Sequence, residues 1–251
     1  MTPNRLILAL VAILAIGVGG YLAYDNVLRG DDTAPLALAT PDPSDAATTA
    51  PSALAGAPTT TEPSTTPSDG SVAGTWTVTE DSQAGYRVRE RLANLDAESD
   101  AVGRTNDVTG TITVVETADG AQLTAGEIAI DTTIITSDED RRDNRLRSEG
   151  LQTDQFPTAT FALTQPVDVP AAAIAGTATD VTLVGDLTLH GVTESVEIPA
   201  QAQLTNGQIQ VAGSLTFPLA DFDITAPNVG GFIISIADEG ALEFLVMFAK
   251  A

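Results

Sequence analysis

The sequence predicts an all-β domain, either a barrel or a sandwich, that follows an N-terminal membrane helix and a disordered linker. Three observations support this prediction. An uncharged apolar run opens the chain, a stretch rich in Ala, Thr, Pro and Ser follows it, and segments that alternate apolar with polar residues fill the rest. The 251 residues therefore divide into an anchor at 1–30, a linker at 31–74 and a folded domain at 75–251.

The apolar run extends from Leu6 to Ala23 and contains no charged residue. At 1.5 Å per residue, an α-helix of this length measures about 27 Å, which nearly crosses the hydrocarbon core of a bilayer. Tyr21 and Leu22 make a poor cleavage site, so we expect an uncleaved single-pass anchor in the cell membrane. The alternative is a signal peptide that is removed, which would leave a secreted or periplasmic protein.

The charges on either side of this run predict its orientation. Arg5 precedes the run, whereas Asp25, Asp31 and Asp32 follow it with Arg29 as the single basic residue among them. Basic residues favour the cytoplasmic side, so the N-terminus is expected in the cytoplasm and the C-terminal domain outside it.

The linker at 31–74 contains seven of the 14 prolines and almost no aromatic or branched apolar residues. A segment of this composition buries too little apolar surface to offset the entropy of ordering its backbone. It is predicted to be disordered.

Composition excludes several classes of function. The chain has 34 acidic and 11 basic residues, and a net charge of −23 argues against nucleic acid as a partner. It has no Cys and one His, which leaves little material for nucleophilic or metal-assisted catalysis. We therefore expect a binding protein that is not an enzyme and that needs neither a cofactor nor a metal.

Strands are predicted after residue 75 because apolar residues recur at every second position. Asn206 and Gly207 separate two such segments and are typical of a two-residue hairpin turn. About eight strands are expected. The clearest apolar positions are Val108, Ile112, Val114, Val181, Leu183, Leu187, Leu189, Val196, Ile198, Ala200, Ala202, Leu204, Ile209, Val211, Leu215, Phe217, Leu242, Phe244, Val246 and Phe248.

One segment, 137–148, lacks this alternation and is predicted to form a short helix that begins at Ser137. It concentrates positive charge at Arg141, Arg142, Arg145 and Arg147. These guanidinium groups either bind an anionic headgroup such as a pyrophosphate or pair with acidic neighbours across helical turns, and pairing is the simpler interpretation. Those neighbours are Asp138, Glu139, Asp140 and Asp143.

Two other polar features invite a functional interpretation. Asp221 and Asp223 have the spacing of a carboxylate pair on one strand face, although solvated surface acids are the simpler interpretation. His190 is expected on the polar side of its strand, in a structural or hydrogen-bonding role. Arg87 and Arg89, with Arg91, share another strand face and are expected to be exposed to solvent.

Three sequence runs together resemble a known family. They are RDN with LRS at 142–148, FPTATF at 156–161 and GDLTLHGVT at 185–193. In this order they resemble the YceI-like family of lipocalin-like, polyisoprenoid-binding proteins, over most of 75–251. The resemblance implies an elongated antiparallel β-barrel whose interior accepts a long isoprenoid chain, and an exported location.

The predicted function is therefore binding or carriage of an isoprenoid-type amphiphile, polyprenyl or quinone-like, at the cell envelope. The alternative is a structural or protein-interaction module with a filled barrel. The sequence does not indicate an oligomeric state. The residues expected to contact a headgroup are Arg141, Arg142, Arg145 and His190. The residues expected to line the interior are Trp76, Tyr86, Val88, Ile112, Val114, Ile128, Ile130, Phe161, Leu187, Leu189, Leu215 and Phe217.

Overall fold

The computed structural model describes residues 33–38, 71–92, 98–226 and 233–251. The predicted membrane anchor at 1–30 and most of the predicted linker at 31–74 lie outside these ranges and stay predictions. Within the described ranges, no helix combines the length and apolar character needed to cross a membrane.

The described residues form eleven strands and four short helical segments. The strands are β1 Gly74–Val78, β2 Gln83–Leu92, β3 Glu98–Thr105, β4 Val108–Thr117, β5 Gly120–Asp131, β6 Thr158–Leu163, β7 Val167–Pro170, β8 Thr179–Leu189, β9 Val192–Thr205, β10 Gln208–Pro218 and β11 Ile233–Lys250. The helical segments are α1 Asp140–Arg145, a π-helical turn Leu146–Gly150, α2 Ala171–Ile174 and a 3₁₀ turn Leu219–Phe222.

Eight of the strands close into an antiparallel barrel. The order is β1-β4-β5-β6-β8-β9-β10-β11, and pairing of β11 with β1 completes the ring, with Trp76 opposite Lys250. Closure leaves these strands without free edges at the seam. The predicted antiparallel barrel with one short helix is confirmed.

The barrel is extended at one end by β2 and β3. β11 has 18 residues and pairs with two strands along one edge. Its C-terminal part pairs with β1, and its longer N-terminal part pairs with β2. β3 then pairs with β2, and a single bridge between Arg104 and Thr136 links β3 to the segment before α1. The helical segment between β5 and β6 lies at this extended end.

Two hairpin turns share a left-handed backbone geometry. The predicted turn at Asn206-Gly207 is confirmed, with φ of 52° and 75°. His190 and Gly191 have φ of 52° and 77° and connect β8 to β9, where Leu189 pairs with Val192. The prediction that His190 lies on a strand face is therefore wrong, because β8 ends one residue earlier.

The predicted helix at 137–148 is shorter at its start and longer at its end. α1 begins at Asp140, because the preceding residue, Glu139, has an extended backbone. Ser137 binds the Asp143 carboxylate through its backbone N–H and its hydroxyl, the latter at 2.6 Å. Asp143 is 2% exposed, so this contact fixes the buried side of the helix to the segment before it. The π-helical turn then carries the chain to Gly150.

An ion network on the outer face joins β2, β3 and β11. Glu243 is buried; it accepts a hydrogen bond from Arg87 Nε at 2.6 Å and another from Arg104 Nη2. Arg87 also binds Asp100 at 3.0 Å. The expected exposure of Arg87 is therefore wrong, whereas Arg89 is largely exposed.

Residues 33–38 form an extended strap on this outer face. Arg87 Nη2 donates a hydrogen bond of 2.7 Å to the Thr33 carbonyl, and Leu38 is buried. Leu36 and Ala37 lie in a groove with residues of β7, β8, β9 and β10. Part of the predicted linker is thus held against the barrel.

The Glu243→Gln substitution is expected to lower the free energy of unfolding at neutral pH by about 3 kcal/mol, because it removes the buried carboxylate that pairs with two half-buried guanidinium groups and leaves only Arg87 with another acid, Asp100. Burial alone raises the pKa of Glu243, but the hydrogen bond from Arg87 and the charge of Arg104 outweigh it and hold the pKa below its usual 4.5. This contribution is present above about pH 4.5 and is lost as the pH falls toward the folded-state value.

Denaturant unfolding of the full chain, followed by the fluorescence of its single tryptophan, checks this between about pH 3 and 7. Glu239→Gln, at an exposed position of the same strand, is the control. An acid-induced loss of stability as steep in Glu243→Gln as in the natural chain would contradict the prediction.

Candidate functional site

A cavity of about 430 Å³ opens at the extended end of the barrel. Its wall combines inward residues of β2, β5, β8, β10 and β11 with residues of α1 and the π-helical turn. The volume lies in the range of about 300–1,000 Å³ that small-molecule sites occupy. The apolar side chains that line it are Tyr86, Val88, Ile130, Ile135, Leu146, Leu151, Ala159, Leu189, Phe217, Leu219, Ile224, Ala226, Ile236, Ala241 and Leu242.

Two smaller apolar cavities continue from it into the barrel. The next has a volume of about 90 Å³ and shares Ile130, Ala159 and Leu242 with the first. The innermost has a volume of about 60 Å³ and shares Ile112 and Leu123, among others, with the second. Three adjacent cavities thus follow one another through the interior, and their volumes decrease away from the helical end.

Most of the predicted lining residues lie around these three cavities. Trp76 and Leu215 instead lie in the packed core, Trp76 near the narrow end, where its indole N–H donates to the Val72 carbonyl at 3.0 Å. Ligand contact by any of them stays a prediction. The ten that line a cavity are Tyr86, Val88, Ile112, Val114, Ile128, Ile130, Phe161, Leu187, Leu189 and Phe217.

Charged residues form the rim of the large cavity. Arg141, Arg142 and Arg145, three of the four predicted headgroup contacts, all line it. Asp138, Glu139 and Glu90 line it as well. With Arg87, the lining therefore carries four basic and three acidic side chains. Of the three acids, sequence analysis named Asp138 and Glu139 as helix neighbours but not Glu90.

Each of the three nitrogens of the Arg142 guanidinium donates to a protein oxygen. Nε and Nη2 each donate to Glu90, both at 3.3 Å, and Nη1 donates to Asp138 and to the Ser137 hydroxyl. Burial disfavours the charge of Arg142, but the Glu90 carboxylate outweighs this and raises the guanidinium pKa. The pairing interpretation is thus correct for Asp138, but the more buried partner comes from β2.

Glu90 is the site residue that sequence reasoning missed. Its side chain is 3% exposed and faces inward, on the same face of β2 as Tyr86 and Val88. The period-two pattern contained this information, because Tyr86, Val88 and Glu90 are spaced two apart. An acid that continues an apolar face predicts a buried carboxylate with a cationic partner.

Tyr86 lies beside this ion pair with its ring against β3. The ring fits because residue 103 is glycine; a Cβ there would lie 2.3 Å from Tyr86 Cε1. Burial is the largest influence on the phenol and raises its pKa to about 12. Tyr86 therefore stays protonated and neutral at physiological pH.

His190, the fourth predicted headgroup contact, lies apart from the rim. Its side chain is buried, Nδ1 is 3.1 Å from the Phe222 carbonyl, and its ring packs edge-on against Phe156 at 4.7 Å. These contacts join the β8–β9 turn to the 3₁₀ turn. The structure therefore gives His190 the structural role that was the simpler interpretation.

The Asp221 and Asp223 pair does not form on a strand. Asp221 lies in the 3₁₀ turn, and Asp223 follows it with a left-handed φ of 53°. Both are exposed. The strand placement is wrong because β10 ends at Pro218, which cannot donate to a continued ladder. In the described ranges, no cluster of three or more His, Asp or Glu could hold a metal ion.

Comparison with known proteins agrees with this architecture. The YceI-like domain family matches residues 76–248. A protein of Shewanella denitrificans described as a UPF0312 protein is 34% identical over 135 residues, which cover 49% of this chain. The aligned part spans 63% of that relative's length, less than two thirds of it.

Two solved structures share the fold. A polyisoprenoid-binding domain from Saccharophagus degradans, implicated in plant cell wall breakdown, superposes with a TM-score of 0.54 at 20% identity, covering 71% of this chain and 99% of that domain. Burkholderia cenocepacia BcnA superposes with a TM-score of 0.51 at 15% identity, covering 68% of this chain and 98% of BcnA. These likenesses establish a common barrel.

The Tyr86→Phe substitution is expected to flatten the loss of stability at alkaline pH. The pKa of the Tyr86 phenol is about 12 in the folded chain and about 10 in the unfolded chain. The neutral phenol therefore contributes stability to the fold that is fully present below about pH 10. That contribution, about 2 kcal/mol, is lost as the pH rises toward 12. Denaturant unfolding at about pH 8 and pH 11.5 measures it in both proteins. Parallel losses in the two proteins would show that Tyr86 ionises normally.

Proposed function

Since the chain belongs to the YceI-like domain family, we propose that its barrel binds the hydrocarbon chain of an isoprenoid-type lipid. The observation that carries the proposal is the series of three adjacent apolar cavities, which share lining residues, behind a polar rim. An amphiphile requires this arrangement, with a long apolar interior for its chain and a polar entrance for its headgroup. The description of the Saccharophagus degradans domain as polyisoprenoid-binding supports the same ligand class.

Burial of the chain supplies enough free energy for binding. Each CH₂ transferred from water into an apolar interior contributes about 0.8 kcal/mol, so a few prenyl units offset the cost of immobilising the ligand. No precisely placed polar group is needed to hold such a chain. The proposed role is accordingly carriage or sequestration without catalysis.

The location of this activity is also a proposal. We place the barrel on the outer side of the cell membrane, held there by the uncharged apolar run at 6–23. A protein in this position meets isoprenoid lipids as they leave or enter the bilayer. The alternative of an interaction module with a filled barrel is disfavoured by the cavity of about 430 Å³.

The direct test is extraction of the full chain, purified from its native envelope, with organic solvent followed by mass spectrometry. A prenyl lipid in near-stoichiometric amount is the expected result. An extract without lipid, together with no binding of added prenols to the purified chain, would overturn the proposal in favour of the interaction module.

A second prediction concerns the neck between the first two cavities. Ala159 is 3% exposed and lines both, so Ala159→Leu should block passage of the chain through the neck. Affinity for the C20 alcohol geranylgeraniol is expected to fall about tenfold or more, because the inner part of the chain loses its place. The C10 alcohol geraniol, which the first cavity can hold, should be affected much less.

Ala162→Leu is the matched control, because Ala162 lies on the same strand but is exposed on the outer face. Binding is measured as the change in fluorescence of Trp76, which lies near the narrow end. Equal loss for both alcohols, or equal effects of the two substitutions, would show that the chain does not pass Ala159.

A further inference from the structure

Glu90 is an ionisable group placed where the chain of a bound lipid would meet its headgroup. Its side chain is 3% exposed, yet it lines the cavity together with Tyr86 and Val88. A carboxylate at the entrance of an apolar site is expensive to bury, and it is retained here through two hydrogen bonds from Arg142. Lipid binding by apolar contact gives no reason for this pair.

The pair determines what the rim offers to a headgroup. A phosphate is normally held by a guanidinium that presents two N–H groups side by side. In Arg142 all three nitrogens already donate to Glu90, Asp138 or Ser137. A phosphate that bound Arg142 through two neighbouring N–H groups would have to displace Glu90 from Nε and Nη2, or Asp138 or Ser137 from Nη1. Displacing Glu90 would leave a buried carboxylate unpaired next to a second anion.

The remaining rim charges do not reverse this balance. Arg141 and Arg145 are offset in number by Asp138 and Glu139. Arg87 also lines the cavity, but its guanidinium pairs with Glu243 and Asp100 on the outer face. A diphosphate would therefore enter a rim whose charges are already balanced, and it would add negative charge to it.

We infer that Glu90 is a specificity-determining residue that makes the site select isoprenoid lipids with uncharged polar headgroups over their phosphorylated counterparts. This inference rests on the proposed binding of an isoprenoid chain and adds the headgroup class to it. It reverses the expectation that the arginines of the rim receive a pyrophosphate. The protonated phenol of Tyr86 beside the pair is compatible with an uncharged headgroup oxygen.

Two probes with the same C20 chain isolate the headgroup: geranylgeraniol and geranylgeranyl diphosphate. Binding of each to the full-length chain, kept soluble in an amphipathic polymer, is measured by Trp76 fluorescence. The natural chain is expected to bind the alcohol about tenfold or more tightly than the diphosphate. In Glu90→Gln the diphosphate affinity should rise about tenfold, because the carboxylate at position 90 no longer neutralises the positive charge of Arg142. The alcohol affinity should stay within about twofold.

Two further variants test whether the headgroup selection depends on Glu90 itself or on any negative charge at the rim. Glu139→Gln removes the same charge at the rim from a side chain that makes no hydrogen bond to the Arg142 guanidinium among the described contacts, and it should leave most of the discrimination in place. Replacing both partners, Glu90→Gln with Arg142→Gln, removes the buried charges together. This variant should fold, bind the alcohol and show no gain for the diphosphate, even if Glu90→Gln alone proves unstable.

The outcomes distinguish the inference from the function on which it rests. Tight binding of both probes by the natural chain, or an equal gain in Glu139→Gln and Glu90→Gln, would overturn the role of Glu90 and leave isoprenoid binding intact. A gain for the diphosphate in the double variant would also overturn it. Failure of the natural chain to bind either probe would overturn both proposals.

Discussion

The double-sided pairing of β11 is the constraint on which the rest of the structure depends. One edge of this 18-residue strand is occupied by β10 along eleven positions, and the other edge is divided between β1 and β2. The pairing with β1 closes the barrel, and the pairing with β2 extends it at one end. Because neighbouring residues of one strand serve both purposes, the closed core and the open end of the barrel have a fixed geometry relative to each other.

The hollow interior follows from the size of the residues that face it. Gly126 and Ala159 line the second cavity and Gly240 lines the first, where it lies opposite Val88. Large side chains fill the space beneath the 3₁₀ turn instead, where Phe222 packs at 5.0 Å from Phe217 and is 1% exposed. The fold therefore has two packed clusters and keeps unfilled space in the interior between larger side chains.

The parts of the fold that sequence reasoning predicted best are strands with one buried face and one solvent-exposed face. β4 and β8 alternate cleanly, and the Asn206-Gly207 turn has the backbone geometry that its residues favour. β3 was not predicted because Ala101, Val102 and Gly103 are buried in succession, with the interior on one side and the outer ion network and strap on the other. Where both faces of a strand are covered, a period of two cannot appear.

The candidate site was predictable in its apolar part and not in its polar part. Alternation assigned twelve residues to the interior, and ten of them line a cavity, since facing inward is a local property of a strand. The partner of Arg142 is 52 residues away in sequence, and the position of His190 depends on β8 ending at Leu189. Contacts of this kind arise from how strands and loops meet in space, so no spacing along the chain encodes them.

The strap at 33–38 has a consequence for how the molecule is oriented. Thr33 lies in a small depression with Arg104, Ser137 and Asp138, and Asp138 is also part of the cavity rim. The polypeptide thus reaches the barrel beside its entrance, although β1 begins only at Gly74. If residues 1–30 lie in a bilayer as proposed, this attachment point turns the entrance toward the lipid surface. A prenyl chain would then pass between bilayer and barrel over a short distance, without crossing open water.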